Sequence, residues 1–410
     1  MSAWQTRIAA VLVGALGLGG CYDQHAESNR SSATEVGRIT GVQVLERIDL
    51  SDPTRQAGPP AVRFVRDHWV VAWTTVGGPE ETQGDFRLAS ASIDANLIAV
   101  RTSRPLNDFW SPSLSIDAHG RVGALNVSRH CDHRVFEPGL QASSERFDIH
   151  CPDDAPAAAA APIDGSDAWL VAYVSGDTTA SIMVGRYEPT SSAWTVLPVT
   201  LGQRVESERL HVFAHDSDAV VLWGDEAGAT LRSLANMAQV SGAAAGALGR
   251  AVHIAAGTGM DGGYATAQLH DHTLAFGMDG ERLWAVTLAG VSTPIEHDIA
   301  LSGIADRPPG AAAAEPLDAV GVCYATGPGP YGGADAPASD GVSFALLNVG
   351  GALILPPSVI ADEIENVGGC AVAWSGEEFL VVYWHIAFSD RAEGPFISQV
   401  RGRRVKVLRE

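Results

Sequence analysis

Positive charge is scarce in this chain, and lysine is almost missing from it. Of 27 basic residues only Lys406 is a lysine, the rest being arginine, against 48 acidic residues and a formal net charge of −21. Binding to a phosphate backbone needs clustered cations, so nucleic acid is not expected as a partner. Chemistry through a lysine nucleophile or Schiff base would have to run through that single residue. Beyond residue 20 no apolar run is long enough for a membrane-spanning helix. Also missing are a Gly-x-Ser-x-Gly elbow, a Walker phosphate loop and a His-Glu-x-x-His metal helix. No cofactor is therefore expected, and no carboxylate pair can be given acid and base roles from spacing alone.

What is present reads as globular and rich in turns. Hydrophobic residues make up 46% and charged residues 18%, with 44 glycines and 22 prolines. Residues 1–20 have the form of a processing segment: Arg7 supplies the basic start, an apolar run covers 8–20, and Leu18-Gly19-Gly20-Cys21 follows. That tetrad resembles the bacterial lipobox, which implies cleavage before Cys21 and acylation of its thiol. An ordinary secretory signal with an incidental Cys21 is the alternative. Tyr22 is not the aspartate that retains lipoproteins at the inner membrane, so a lipid anchor in the outer membrane or at the cell surface is expected. Residues 21–35 are polar and without apolar periodicity, as a flexible tether would be. Residues 36–410 remain for the folded domain.

The strongest internal signal is a repeat. The stretch Cys370-Ala-Val-Ala-Trp-Ser-Gly-Glu-Glu-Phe-Leu-Val-Val-Tyr-Trp-His385 reads as an apolar strand, a polar turn and a second apolar strand. Diluted copies turn near residues 67, 119, 166, 217, 271 and 316, with 376 as the seventh centre. A β-rich period near fifty residues is the range of propeller blades of four strands each. The spacing predicts an all-β chain folded as a single β-propeller with seven four-stranded blades, six or eight being the neighbouring solutions. A pair of β-sandwiches or an open solenoid would not explain so steady a step. Residues 41–50 alternate like a strand and are expected to dock beside 396–408 and close the ring, since exposed strand edges are a liability.

The last unit is similar to tandem repeats of bacterial exported proteins, of the form Val-Ala-Trp-x-Gly-x-x-Phe/Tyr-Leu-Val-Val-Trp followed by a strand ending in Arg-Val. Residues 371–384 and Gln399-Val-Arg-Gly-Arg-Arg-Val405 carry that resemblance closely, and the first and third repeats carry it in part. It implies a propeller-like, often lipidated protein and transfers no catalytic motif.

Four cysteines remain after Cys21, an even number that suggests two disulfides among three pairings. Cys323 follows its turn centre by about as much as Cys370 precedes the next one. The two thus sit at similar height on adjacent repeats, where a bridge needs a Cα separation of about 4.4–6.8 Å. That leaves Cys131 with Cys151, flanking the segment after the second strand of repeat two and expected to staple it as a loop. Free buried thiols are the alternative. Metal-ligating residue types gather at His130-Cys131-Asp132-His133 and His150-Cys151, where His130, Asp132 and His133 could share one ion, although the spacing matches no standard zinc site. His270-Asp271-His272 falls on a turn. Ser115-Ile-Asp-Ala-His-Gly120 approaches the Asp box of sialidase propellers with one residue too many.

The expected function is that of a non-enzymatic cell-envelope lipoprotein. It would meet the membrane through its anchor at Cys21 and bind a protein or polysaccharide through long connections after the second strands, 128–145, 326–340 and 385–394. The alternative is a glycan-acting hydrolase or lyase, which would converge carboxylates, arginine and Tyr or His at a channel mouth.

Overall fold

The computed structural model describes residues 37–410 except 54, 77–85, 95–97, 104–112, 128–130, 142–146, 150–157, 176–180, 190–192, 201–209, 216–217, 226–227, 235–251, 255–263, 280–281, 290–294, 300, 302–308, 328–340, 362–365 and 388–396. Arg38–Glu410 forms one compact unit.

The unit is all-β. Strand β1 (Ile39–Asp49) opens it. Sheet I holds β2 (Gln56–Ala57), β3 (Ala61–Val65), β4 (His68–Val76), β5 (Arg87–Ile93) and β6 (Ile98–Thr102). Sheet II holds β7 (Ser113–Ile116), β8 (Val122–Val127), β9 (Cys131–Phe136) and β10 (Phe147–Ile149). Sheet III runs β11 (Ala158–Pro162), β12 (Trp169–Ser175), β13 (Ser181–Glu188) and β14 (Ala193–Thr200). Sheet IV runs β15 (Leu210–His215), β16 (Asp218–Asp225), β17 (Gly228–Leu234) and β18 (Val252–Ile254). Sheet V follows with β19 (Ala265–Leu269), β20 (His272–Asp279), β21 (Arg282–Ala289) and β22 (Ile295–Ile299). Sheet VI has β23 (Gly310–Ala314), β24 (Ala319–Thr326), β25 (Gly341–Leu347) and β26 (Leu353–Ala361). Sheet VII has β27 (Asn366–Trp374), β28 (Glu378–Ala387) and β29 (Ile397–Arg409), and its fourth strand is β1. Every pairing is antiparallel between neighbours in space.

The second strand of each sheet is buried on both faces, which is why it is rich in apolar residues at successive positions. In β28, Phe379, Val381 and Tyr383 pack against sheet VI while Leu380 and Val382 pack against sheet I. In β16, Ala219, Val221 and Trp223 face sheet III while Val220 and Leu222 face sheet V. The two-residue period of a strand does this sorting. Apolar clusters join I to II, II to III, III to IV, IV to V, V to VI and VI to VII. A seventh returns from VII to I, uniting Leu380, Val382 and Val400 with Trp69, Val71 and Trp73. The circuit of contacts among the sheets is therefore closed.

First strands of adjacent sheets also touch: β3 on β7, β7 on β11, β11 on β15, β19 on β23, β23 on β27 and β27 on β3. The first strands thus lie innermost. Small side chains suit the crowding there, as in Ala-Ala-Ala-Ala-Pro of β11 and Gly-Ala-Ala-Ala-Ala of β23. A Cβ on Gly310 would meet the Cα of Ala371 at 2.7 Å.

Chain closure follows the expected pairing with one change. Strand β1 runs antiparallel to β29, with Val42 opposite Val407, Val44 opposite Val405 and Asp49 opposite Arg401. Residues 397–409 form one continuous strand, so β1 and not 405–408 takes the outer, fourth place. The segment 128–145, read as one long connection, contains β9. Its Cys-Asp-His-Arg-Val-Phe mixes polar and apolar residues at every second position and so hides a strand buried on both faces.

Candidate functional site

Antiparallel succession puts the turn between first and second strands, and that between third and fourth, at the same end of each sheet. At that end, called the hairpin face, the described polar side chains reach from sheet to sheet. Arg63, the one charged residue of β3, donates to the Ile116 carbonyl at 3.2 Å and to Asp164 Oδ1 at 2.6 Å, spanning sheets I, II and III. Asp117, buried in the β7–β8 turn, accepts from the backbone N–H groups of His119 and Arg121 at 2.9 and 2.8 Å and from Arg121 Nε at 2.6 Å. The Nη2 of Arg121 extends to Asp167 Oδ1 of the next turn at 3.2 Å. The Asp box-like segment is thus a structural turn with its own buried counter-ion.

Similar ties continue around the circuit. His215 Nδ1 lies 2.6 Å from Thr273 Oγ1, joining sheets IV and V. Between V and VI, His270 Nε2 lies 3.4 Å from Asp318 Oδ1, and Thr287 donates to the Val349 carbonyl at 2.9 Å. Between VII and I, Arg404 donates to the Asp94 carbonyl at 2.9 Å and stacks over Trp69 at 5.2 Å. These bonds hold adjacent sheets in register at one end. At the opposite end the second strands stop and the third strands start, at Val76 and Arg87, Thr326 and Gly341, and Ala387 and Ile397.

Of the metal-ligating candidates, His130, His150 and Cys151 lie outside the described residues. Asp132 and His133 are adjacent on β9 and fully buried, and successive strand residues point to opposite faces. Asp132 Oδ2 accepts from Asn126 Nδ2 at 3.3 Å. The His133 ring lies 5.1 Å from that of Trp169 and 6.3 Å from that of Tyr187, in the wall between sheets II and III. Neither ring nitrogen of His133 has a partner among the described residues, and burial pushes its pKa down to about 3. It is a neutral imidazole in an aromatic box. Gly123 makes room for the box, since a Cβ there would meet Trp169 Cζ3. Among the described residues no three His, Cys, Asp or Glu side chains form a metal-binding group.

Cys323 and Cys370 are bridged, with Cα atoms 6.2 Å apart, tying β24 of sheet VI to β27 of sheet VII. Cys131 is also disulfide-bonded. It opens β9, where it stands opposite Ile149 of β10. No described helix is long and apolar enough to cross a membrane.

Sequence reasoning passed over Arg63 and Ser398. An arginine inside Ala-Val-Arg-Phe-Val was a visible anomaly; the role of Ser398 depends on a partner 341 positions away.

No protein-family model matches the chain, and no curated protein matches it. Among solved structures, the Cps50 (Swd1) β-propeller domain of Myceliophteria thermophila is 11% identical, with 90% of this chain and 100% of that one covered and a TM-score of 0.49. The β-propeller domain of the Trilobed protease from Pyrococcus furiosus is 10% identical over 84% of this chain and 97% of that one, with a TM-score of 0.46. A subtype N11 neuraminidase-like protein is 9% identical over 90% and 94%, with a TM-score of 0.45. At this level of likeness none of them bears on activity.

Proposed function

We propose that the chain is a single seven-bladed β-propeller, exported and anchored by acylation of Cys21 to the outer membrane or cell surface. In this reading it is a non-enzymatic scaffold that binds a protein or polysaccharide through the connections opposite the hairpin face. The observation that carries the reading is the set of polar ties from sheet to sheet at the hairpin face. At the hairpin face Arg63, Asp117, Arg121 and Arg404 are committed to joining sheets. A circuit locked at one end is a rigid platform, and rigid β platforms commonly carry recognition on the loops of the other end.

The test replaces 78–85, 328–340 and 388–396 by short Gly-Ser turns and measures co-sedimentation with isolated bacterial cell-wall sacculi and envelope polysaccharide. Binding should be lost while the melting temperature is kept. Undiminished binding by the shortened protein would refute the assignment. The anchor is tested by Cys21→Ser, which should move the protein from the membrane to the soluble fraction.

A second reading, a glycan hydrolase or lyase, draws on the gathering of Arg63, Arg121, Asp117, Asp164 and Asp167 at one end of sheets I to III. Release of reducing sugar ends that disappears in Asp164→Asn would support it over the scaffold.

A further inference from the structure

The scaffold reading leaves one charge anomaly unused. In a chain of net charge −21, the two paired segments 37–50 and 397–410 hold seven of the 27 basic residues and three of the 48 acidic ones. Several of these cations are spent internally. Arg401 lies 3.5 Å from Asp49, Arg403 donates to the Leu45 carbonyl at 3.4 Å, and Arg404 is held against sheet I. Arg38, Lys406 and Arg409 are exposed and have no ion pair among the described residues.

These three lie at one end of the β1–β29 ladder, with Lys406 and Arg409 on opposite faces of β29. Glu410 N–H donates to the Arg38 carbonyl at 3.1 Å, Ile39 stands opposite Arg409, and Gln43 opposite Lys406. Pairing with β28 stops at Glu378 opposite Lys406, so residues 407–409 and the start of β1 project past sheet VII at its hairpin end. Leu408 on this projection is 44% exposed. At the same end of adjacent sheet VI, Leu353 is 38% exposed, and its neighbour Ile354 packs in one cluster with Ile39 and Val407. Among the described residues at this tip, Glu377 and Glu410 are exposed acids.

We propose that this projection, with Arg38, Lys406 and Arg409 around Leu408, docks on an anionic lipid surface. The proposal rests on the anchor reading, because the polypeptide enters β1 here. The eighteen residues from Cys21 to the strand span at most about 65 Å, so an acylated Cys21 keeps this end within that reach of the headgroups. Basic residues draw it to anionic lipid, at about a fivefold gain in partitioning for each cation. Leu408 adds an apolar contact at the boundary. The loops that the scaffold reading uses would then face away from the membrane.

The experiment takes the unit Arg38–Glu410, which holds all seven sheets, without acylation. Its sedimentation is measured with phosphatidylcholine vesicles that contain or lack phosphatidylglycerol. Binding should require phosphatidylglycerol, fall with salt, and drop about fivefold for each of Arg38→Gln, Lys406→Gln and Arg409→Gln, with unchanged melting temperatures. Leu408→Ser should weaken it further. Equal binding to both vesicle types, variants indistinguishable from the parent, or cation-dependent binding to dextran sulfate in place of vesicles would overturn the proposal. Mass spectrometry of Cys21 in the full chain reads the anchor separately, so loss of the anchor reading is distinguishable from failure of the patch.

Discussion

The Ser398 hydroxyl satisfies both backbone polar groups of one distant residue: it accepts from the Ala57 N–H at 2.9 Å and donates to the Ala57 carbonyl at 2.7 Å. Beside it, Leu50 N–H donates to the Val400 carbonyl at 3.0 Å, and Val400 N–H donates to Ser51 Oγ at 2.8 Å. The first described segments are thus stitched to the last strand by side chains as well as by the β1–β29 ladder.

Ser398→Ala should therefore cost more than an ordinary surface change. It strands a buried donor and a buried acceptor at once, at about 1–3 kcal/mol for each group left without a partner. Chemical denaturation should show the loss, and Ser398→Thr should restore part of it.

The Cys323–Cys370 bridge closes a separation of 47 residues. Chain entropy alone puts its contribution near 4 kcal/mol. The double alanine variant should melt well below the parent, and reductant should shift the parent toward the variant while leaving the variant unmoved by this bond.

Asp117 and Arg121 are both buried, at 2% and 6% exposure. Removing Asp117 strands the buried Arg121 N–H and leaves the guanidinium only the exposed Asp167, so Asp117→Ala should destabilise by about 3 kcal/mol. Converting both to apolar residues should cost less than the sum of the two single changes, as a double-mutant cycle would measure.

His133 gives an acid dependence with a definite sign. Its folded pKa, about 3, lies below the ordinary 6.5, so between those values the unfolded chain binds the extra proton. Stability from this residue is complete above about pH 6.5 and falls by about 1.4 kcal/mol per pH unit on acidification toward 3. His133→Leu should leave neutral stability nearly unchanged and flatten the acid limb. An unaltered slope would show that the imidazole is hydrated or paired.

Much of the architecture was legible because its causes are local. Turns such as Asp164-Gly-Ser-Asp167 and Ser375-Gly-Glu377 mark the hairpins, and the apolar run of β28 marks a strand with sheets on both sides. The adjacency of Cys323 and Cys370 followed from counting along the repeat. Strand β9 was missed since its burial comes from the neighbouring sheet, with His133 against Trp169. The Arg63–Asp164 contact could not be read from residues 101 apart; it depends on how the first strands converge.

Strand β1 also decides how the protein would bear a mechanical load. It is held to β29 at eight paired positions, beginning at Ile39. A pull directed along the strand axis loads those positions in shear, together and not one after another. Such a pull is therefore shared by the whole closing sheet, and rupture would require the ladder to fail nearly at once.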